Sequence, residues 1–498
     1  MKHLKIINYA VNGLGSGHIT RLLAINKSIY KIAQSVGVNT EQIFITTSEA
    51  DNIVYREGFA SFKIPSKNIV SESGINPKTY RAIARHWIWN CVSLFNPDIF
   101  IVDTFPNGSF NELYDILELS FKKVLIYRAR KDYNKILLDN SLNGYNQIIA
   151  TLENEEDNIF QDTKFEHKVT TVGSIIQKDK DELFESDIAK FKLGIPINKK
   201  CCLILAGGGG DSFNEEFFSA LIPKLEIYKD IHFIVAAGSL YRGDETFGNN
   251  STWFYREGIM NYFNAFDFAI SAGGYNSVNE LIYSNLPTLF YYQLRKFDDQ
   301  QARIERLYDK GFCLFSNDFN IEILLQKFDE LRVCSTCIKE KLIDYNLKNY
   351  TLNCAAEILK DKINDRDIER GTELTSGEFY YSLLKNKIKK QHICKVLFTL
   401  DYLYHLNKKN ITFFKTDTNY KVEEIEVIQS CTTRFLLYLQ KEKLEFSLGL
   451  KLLKFQIMNL ELSANNAIEE VIKIFDNWLH HFSDIKYELD LLVNSNKI

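Results

Sequence analysis

The sequence predicts an α/β protein with two sheet domains in tandem, followed by a mainly helical segment. Three observations lead there. Short runs such as Leu4–Val11, Asp98–Val102, Cys201–Ala206 and Phe268–Ser271 are apolar at nearly every position, as in parallel strands buried on both faces. Amphipathic stretches separate these runs, so strands and helices alternate. The 498 residues exceed what one ordinary core holds, which implies two or three domains.

Composition sets the bounds. Hydrophobic residues at 45% and aromatic residues at 13% support a packed chain rather than a disordered one. A net charge of -4 offers no electrostatic basis for nucleic acid as the main partner. No apolar run is long enough to span a bilayer, and Met1-Lys2-His3 opens into a strand rather than a signal peptide, so a cytoplasmic protein is expected. The 9 cysteines then read as free thiols, and Cys334-x-x-Cys337 lacks further ligands at metal spacing.

In the first half, strand Leu4–Val11 runs into Asn12-Gly13-Leu14-Gly15-Ser16-Gly17-His18, with a helical pattern from Ile19 to about Val36. A dinucleotide fingerprint would place glycine at His18 and an acid after the second strand, but Gln42–Thr46 ends in Thr47-Ser48. His18 stands at a helix N-terminus, which favours the neutral imidazole and suits a general base. A histidine that merely caps the loop is the plain alternative. A helix is expected over Pro77–Leu94, and the next strand delivers Asp103 before the Pro106-Asn107-Gly108 turn. Strand Val124–Tyr127 ends in Arg128-Ala129-Arg130-Lys131, cations that suit a phosphate, an acidic acceptor or a solvated loop. Gln147–Thr151 and Lys168–Val172 complete this sheet. The charged segment Gln177–Pro196 is the candidate link between halves.

In the second half, strand Cys201–Ala206 leads into Gly207, Gly208, Gly209 and Gly210, then Asp211 and Ser212 and a helix from Phe213. Four glycines cost chain entropy and are useful where the backbone must approach something closely, a diphosphate being the natural candidate. Strands are expected over His232–Ala236 and Thr252–Arg256. Phe268–Ser271 is followed by Ala272-Gly273-Gly274, by Asn276 and Ser277 as helix caps, and by Glu280 one turn inside that helix. Strand Thr288–Tyr292 then ends in a loop carrying Asp298-Asp299-Gln300-Gln301. Backbone N–H groups at such a helix start suit a phosphate, a carboxylate one turn on can accept from two ribose hydroxyls, and Asp beside Gln can bind sugar hydroxyls.

G-Y-N-S-x-x-E (Gly274 to Glu280) followed by D-Q (Asp299-Gln300) resembles the donor-site signature of GT-B glycosyltransferases, both the MurG-like group and the UDP-sugar-dependent transferases of plants. The G-x-G-x-G-H-x-x-R loop, containing Gly15, Gly17, His18 and Arg21, and the stretch PDIFIVDTFPNGSFNEL resemble a predicted subgroup of the MurG-like enzymes. The resemblance implies a GT-B fold, two Rossmann-like domains facing a cleft. It implies that the Ser277 region contacts diphosphate, that Glu280 binds ribose and that Asp299-Gln300 binds the donor sugar. It also implies that Asp103 orients His18, and that Tyr255 and Arg256 hold the base. The chain departs from the plant pattern with Ala272 for His and Tyr275 for Trp. Its D-Q pair is displaced by a few residues, which leaves Asp298 and Gln301 as alternative partners.

The implied domains are residues 1–176 for the acceptor, 177–345 for the nucleotide sugar, 346–377 as return helix and linker, and 378–498 as helical extension. The polar run Asn364-Asp365-Arg366-Asp367 reads as linker. In the extension, Phe446, Leu450, Leu453, Ile457 and Leu460 repeat at heptad spacing, and Lys385 to Lys395 mix with apolar residues. That segment suits contact with a partner protein or an anionic membrane surface, a solvated helix face being the plainer reading. The expected activity is inverting transfer from a UDP-sugar, as co-substrate, to an unknown acceptor. No metal or other cofactor is expected, because no acid-x-acid motif stands where a donor-bound cation would need it. A nucleotide-sugar epimerase or hydrolase of the same fold and a non-catalytic nucleotide-sugar-binding subunit are the alternatives.

Overall fold

The described strands form two sheets in which every neighbouring pair is parallel. The computed structural model describes residues 3–373 except 12–14, 132, 138, 153–156, 197, 211–212, 256–257, 294, 296–297 and 318–319. The expected helical extension, with its heptads and lysines, lies outside the described residues. The first sheet comprises β1 (His3–Ala10), β2 (Asn39–Thr46), β3 (Ala60–Lys63), β4 (Ile99–Asp103), β5 (Lys122–Tyr127), β6 (Gln147–Thr151) and β7 (Val169–Val172). The second comprises β8 (Lys200–Leu205), β9 (Ile231–Ala236), β10 (Ser251–Trp253), β11 (Phe268–Ala272), β12 (Thr288–Tyr291) and β13 (Leu314–Ser316). The helices are α1 (Gly17–Ser35), α2 (Asn52–Arg56), α3 (Lys67–Glu72), α4 (Pro77–Phe95), α5 (Tyr133–Leu137), α6 (Ser186–Leu193), α7 (Phe213–Lys224), α8 (Tyr275–Tyr283), α9 (Gln300–Asp309), α10 (Ile321–Tyr345), α11 (Thr351–Leu359) and α12 (Asp365–Glu373).

Strand order is β3-β2-β1-β4-β5-β6-β7 in one sheet and β10-β9-β8-β11-β12-β13 in the other. Each contains the doubly wound Rossmann order, in which ligands bind beyond the carboxyl ends of the strands where the order reverses. In the first sheet that point lies between β1 and β4, and in the second between β8 and β11.

The alternation along β1 explains why helices cover both faces. Leu4, Ile6 and Ala10 join the core under α1, while Ile7 and Tyr9 join the opposite core with Ile88 and Val92 of α4. Asn8 is a buried exception on the α1 side, matched by Asn26 through reciprocal amide bonds of 3.0 and 2.6 Å. Helix α4 starts where Asn76 accepts from Lys78 N and Thr79 N and Pro77 fills the first helical position.

Helix α11 packs on α1, burying Cys354, Ala355, Ile358 and Leu359 in the first domain's core. This return of the chain from the second domain to the first, with the two Rossmann-like halves, makes the architecture GT-B. The segment read as a link, Gln177–Pro196, is not a free linker: Leu183, Ala189 and Ile195 sit in the second domain's core and α6 packs beside Ile259–Ala265. The polar run at 364–367 is also no linker, since it enters α12 and places Ile368 in the first domain's core. Among the described residues no helix is long and apolar enough to cross a membrane.

Candidate active site

Helix α1 follows the first glycine loop, so His18 lies in its first turn with Arg21 one turn further on the same face. Strand β4 brings Asp103 beneath them, wholly buried. His18 Nδ1 contacts Asp103 Oδ2. Arg21 donates from Nε to Oδ1 at 2.9 Å and from Nη2 to Oδ2 at 2.6 Å, and from Nη2 to Thr104 Oγ1 at 3.0 Å. A carboxylate only accepts, so Nδ1 carries the proton and Nε2 is the acceptor of the neutral ring.

Burial would raise the Asp103 pKa, but the Arg21 charge and the His18 contact hold it at about 2. Burial lowers the His18 pKa; Asp103 opposes this, and Arg21 and Arg128 add to it. An ionised Asp103 beside an uncharged His18 results. The imidazole remains 13% exposed and packs against Phe105 at 5.5 Å. Phe105 in turn lies under the Arg130 guanidinium at 4.4 Å. Thr104, between Asp103 and Phe105, has φ +63°, unusual for a β-branched residue. Its carbonyl accepts from Arg130 at 3.3 Å.

From the second domain, α8 begins with Gly274 as N-cap and Tyr275 as first helical residue. Asn276 and Ser277 therefore do not cap this helix as expected; they lie within its first turn. Asn276 instead donates across the crevice to Gly17 O at 3.0 Å and Thr20 Oγ1 at 2.8 Å. A Cβ on Gly273 would meet the Ile304 side chain, so glycine lets this turn pack closely against α9. Glu280 is buried, makes no side-chain hydrogen bond or ion pair to any described residue, and burial raises its pKa to about 8.

Of the cations after β5, Arg128 and Arg130 are drawn out of solvent, while Lys131 is exposed. Arg128 donates to Asp298 of the second domain at 2.7 Å, and Arg303 reaches the same oxygen at 2.9 Å. The two guanidiniums hold Asp298 far below the usual carboxylate range against the opposing effect of burial. Tyr275 lies beside three guanidiniums, with Arg21 and Arg303 each 5.4 Å and Arg128 5.9 Å from its ring. Lys131 stands 3.5 Å from Asp299.

Asp299 caps α9 by accepting from Ala302 N at 3.3 Å, and Gln300 accepts from Gln293 N at 3.0 Å. Both carry local structural duties in addition to any ligand. Gln301 is exposed and bonds Glu305.

Gly207 and Gly209 adopt left-handed φ of +67° and +81°. A Cβ on Gly209 would meet Ala237 O and Tyr241 N, so part of the glycine density serves a close approach to the loop after β9. Leu240 N donates to Gly208 O at 3.0 Å, and Leu240 itself enters the first domain's core. Gly210 continues this loop towards α7. Ser212 and Arg256 lie outside the described residues. The strand expected over Thr252–Arg256 stops at Trp253, whose indole donates to Thr246 O at 2.8 Å. Tyr255 is exposed and bonds Glu245, with no described contact to the cluster around His18. Among the described residues no three His, Cys, Asp or Glu side chains group as a metal ion would require.

The structure thus joins His18, Asp103, Gly17 and Asn276 at the crevice. It adds Arg21, Tyr275 and Arg303, to which the motifs assign no role, and it pairs Arg128 with Asp298, the alternative to Asp299, rather than with a ligand. The H-x-x-R spacing carried the signal for Arg21; the others become neighbours only through the fold.

No protein-family model and no curated protein matches the chain. Among solved structures, the chain is similar to the glycotransferase of kitacinnamycin at 12% identity and TM-score 0.49, over 74% of this chain and 99% of that one. It is similar to a putative UDP-N-acetylglucosamine 2-epimerase from Listeria monocytogenes at 12% identity and TM-score 0.48, over 73% and 98%. It is also similar to MurG from Acinetobacter baumannii at 15% identity and TM-score 0.46, over 72% and 100%.

Proposed function

We propose that the protein is a glycosyltransferase that moves a sugar from a nucleotide-sugar donor, a UDP-sugar, to an acceptor hydroxyl or amine. The observation that carries this reading is the contact of His18 Nδ1 with the wholly buried Asp103 carboxylate, at the crevice between the two sheet ends. In the proposed step His18 Nε2 takes the acceptor's proton as the acceptor attacks the anomeric carbon. The bond from that carbon to the diphosphate breaks, and its electron pair leaves with the nucleotide. Attack opposite the leaving group inverts the anomeric centre. Asp103 stabilises the imidazolium that forms.

Negative charge grows on the departing diphosphate. Backbone N–H groups at the start of α8 and in the Gly207–Gly210 loop oppose it, so the reaction is proposed to need no metal ion. Glu280, buried and without a side-chain partner among the described residues, suits the ribose hydroxyls as acceptor. Asp299 and the Gln300 amide group suit the sugar. The test is incubation with UDP-, GDP- and dTDP-sugars with and without candidate acceptors, products read by mass spectrometry. Donor turnover that needs no acceptor would favour an epimerase or hydrolase. Nucleotide binding indifferent to His18, with no transfer to any acceptor, would favour a binding subunit.

A further inference from the structure

Three side chains reach the Asp103 carboxylate: His18, Arg21 and, with its hydroxyl 3.3 Å from Oδ2, Thr104. His18 holds one oxygen, and Arg21 grips both in a fork, Nε to Oδ1 at 2.9 Å and Nη2 to Oδ2 at 2.6 Å. The same Nη2 lies 3.4 Å from His18 Nδ1 and donates to Thr104 Oγ1 at 3.0 Å. The guanidinium is only 2% exposed and is covered by the Tyr275 ring, so solvent screens little of its charge.

We infer that Arg21 is a positioning residue for the proposed transfer: its fork fixes the plane of Asp103 and shares the carboxylate's charge, so that His18 remains a neutral acceptor at Nε2. The inference rests on the reading of His18 as base. An imidazole facing an unshared buried carboxylate is drawn towards the cation, whose extra proton must then be lost before the next acceptor is activated. A guanidinium on the same carboxylate lowers that pull while keeping the acid ionised. Lysine could supply the charge but not the planar two-point grip.

The charged and titratable groups facing His18 are few. Arg21 comes from its own helix, Asp103 from the end of β4, and Arg128 from the end of β5. Arg130 follows β5 and reaches it through Phe105. From the second domain Tyr275 covers Arg21, and Asp298 with Arg303 fixes Arg128.

The test is the pH dependence of kcat/KM together with an NMR titration of His18 in Arg21→Gln and Arg21→Lys. The glutamine variant should raise the His18 midpoint by about one pH unit. It should displace the acid limb of kcat/KM equally, an about tenfold loss on that limb. The lysine variant should keep the midpoint nearer the parent yet lower kcat, because charge returns without the fork. A uniform fall in rate with the His18 midpoint and the acid limb unmoved in Arg21→Gln would reduce Arg21 to a packing role and overturn the inference. Should Arg21→Gln not fold, Arg21→Lys decides: parental kcat would refute the need for the fork. Failure of the underlying reading looks different, because His18→Ala would then retain turnover whatever the titration of His18 shows.

Discussion

Replacing Glu280 by glutamine should remove a pH-dependent destabilisation of the fold. The carboxyl is buried and has no described partner, and burial alone lifts its pKa from 4.5 to about 8. In the unfolded chain it ionises at the ordinary value, so across this window the folded state binds the extra proton. The sign follows from linkage: the contribution to stability is full below pH 4.5 and is lost as pH rises towards about 8. Each pH unit costs the folded state about 1.4 kcal/mol, and the whole window about 5 kcal/mol. Glutamine titrates nowhere in this range. Thermal midpoints of parent and Glu280→Gln, followed from about pH 5 to about pH 8, should therefore diverge by several degrees, the variant gaining on the parent as pH rises. Parallel curves, or a parent that gains on the variant, would refute the argument. Ligand binding gives a second reading. Two ribose hydroxyls donating to the carboxylate would lower its pKa, so UDP binding near pH 7 should release protons in the parent and not in the variant, seen as a dependence of the binding heat on the buffer.

Removing the imidazole with His18→Ala should lower turnover by about 10²–10⁴-fold while calorimetry shows UDP affinity nearly kept; unchanged turnover would exclude His18 as base. Asp298→Asn leaves Arg128 and Arg303 facing each other without their shared carboxylate. It should cost about 3–5 kcal/mol, read as a lower thermal midpoint, and a parental midpoint would contradict the bridge. Thr104→Gly relieves a left-handed β-branched residue, worth about 1–3 kcal/mol, but deletes the hydroxyl that Arg21 Nη2 holds. Its midpoint should stay close to the parent's while kcat falls, and a fall in midpoint with kcat kept would reverse that assignment.

The sheets are legible because the signals for them are local. Continuous apolar runs and glycine turns fall at the ends of β1, β8 and β11, and the structure shifts these elements by a residue or two. Where the reading failed, distant contacts decided. Asn276 and Ser277 resemble caps, but the helix begins one residue earlier, and the Asn276 amide is taken by Gly17 and Thr20, more than 250 positions away in the chain. The charge of segment 177–196 suggests a linker, yet Leu183, Ile188, Ala189 and Ile195 within it are buried. The glycine run after β8 does signal close approach, but Gly209 approaches the protein's own backbone at Ala237 and Tyr241. No spacing rule couples Arg128 to Asp298, 170 residues later.

What joins the domains at the crevice differs in kind from what builds each of them. The domain cores are separate apolar clusters, with Leu240 as a second-domain residue that crosses into the first. Among the described residues the polar contacts between the domains include Asn276 with Gly17 and Thr20, Arg128 with Asp298, Lys131 with Asp299, Arg306 with Asp157, and the Tyr275 hydroxyl with Thr151 O at 3.5 Å. Exchanging a neutral hydrogen bond for water costs only about 0.5–1.5 kcal/mol, and a charge-assisted one such as Arg128–Asp298 about 1.5–3 kcal/mol. Prising the strand ends apart thus exposes little core, whereas unfolding either domain exposes all of it. Further connections lie at the chain crossing, where Tyr350 N donates to Ser174 O at 3.0 Å and Ile176 N to Thr351 Oγ1 at 3.0 Å. Gly173 lets the Tyr350 ring lie directly against the backbone there. On the proposed reading a donor enters by replacing polar contacts of the crevice with its own, while this crossing holds the domains in register.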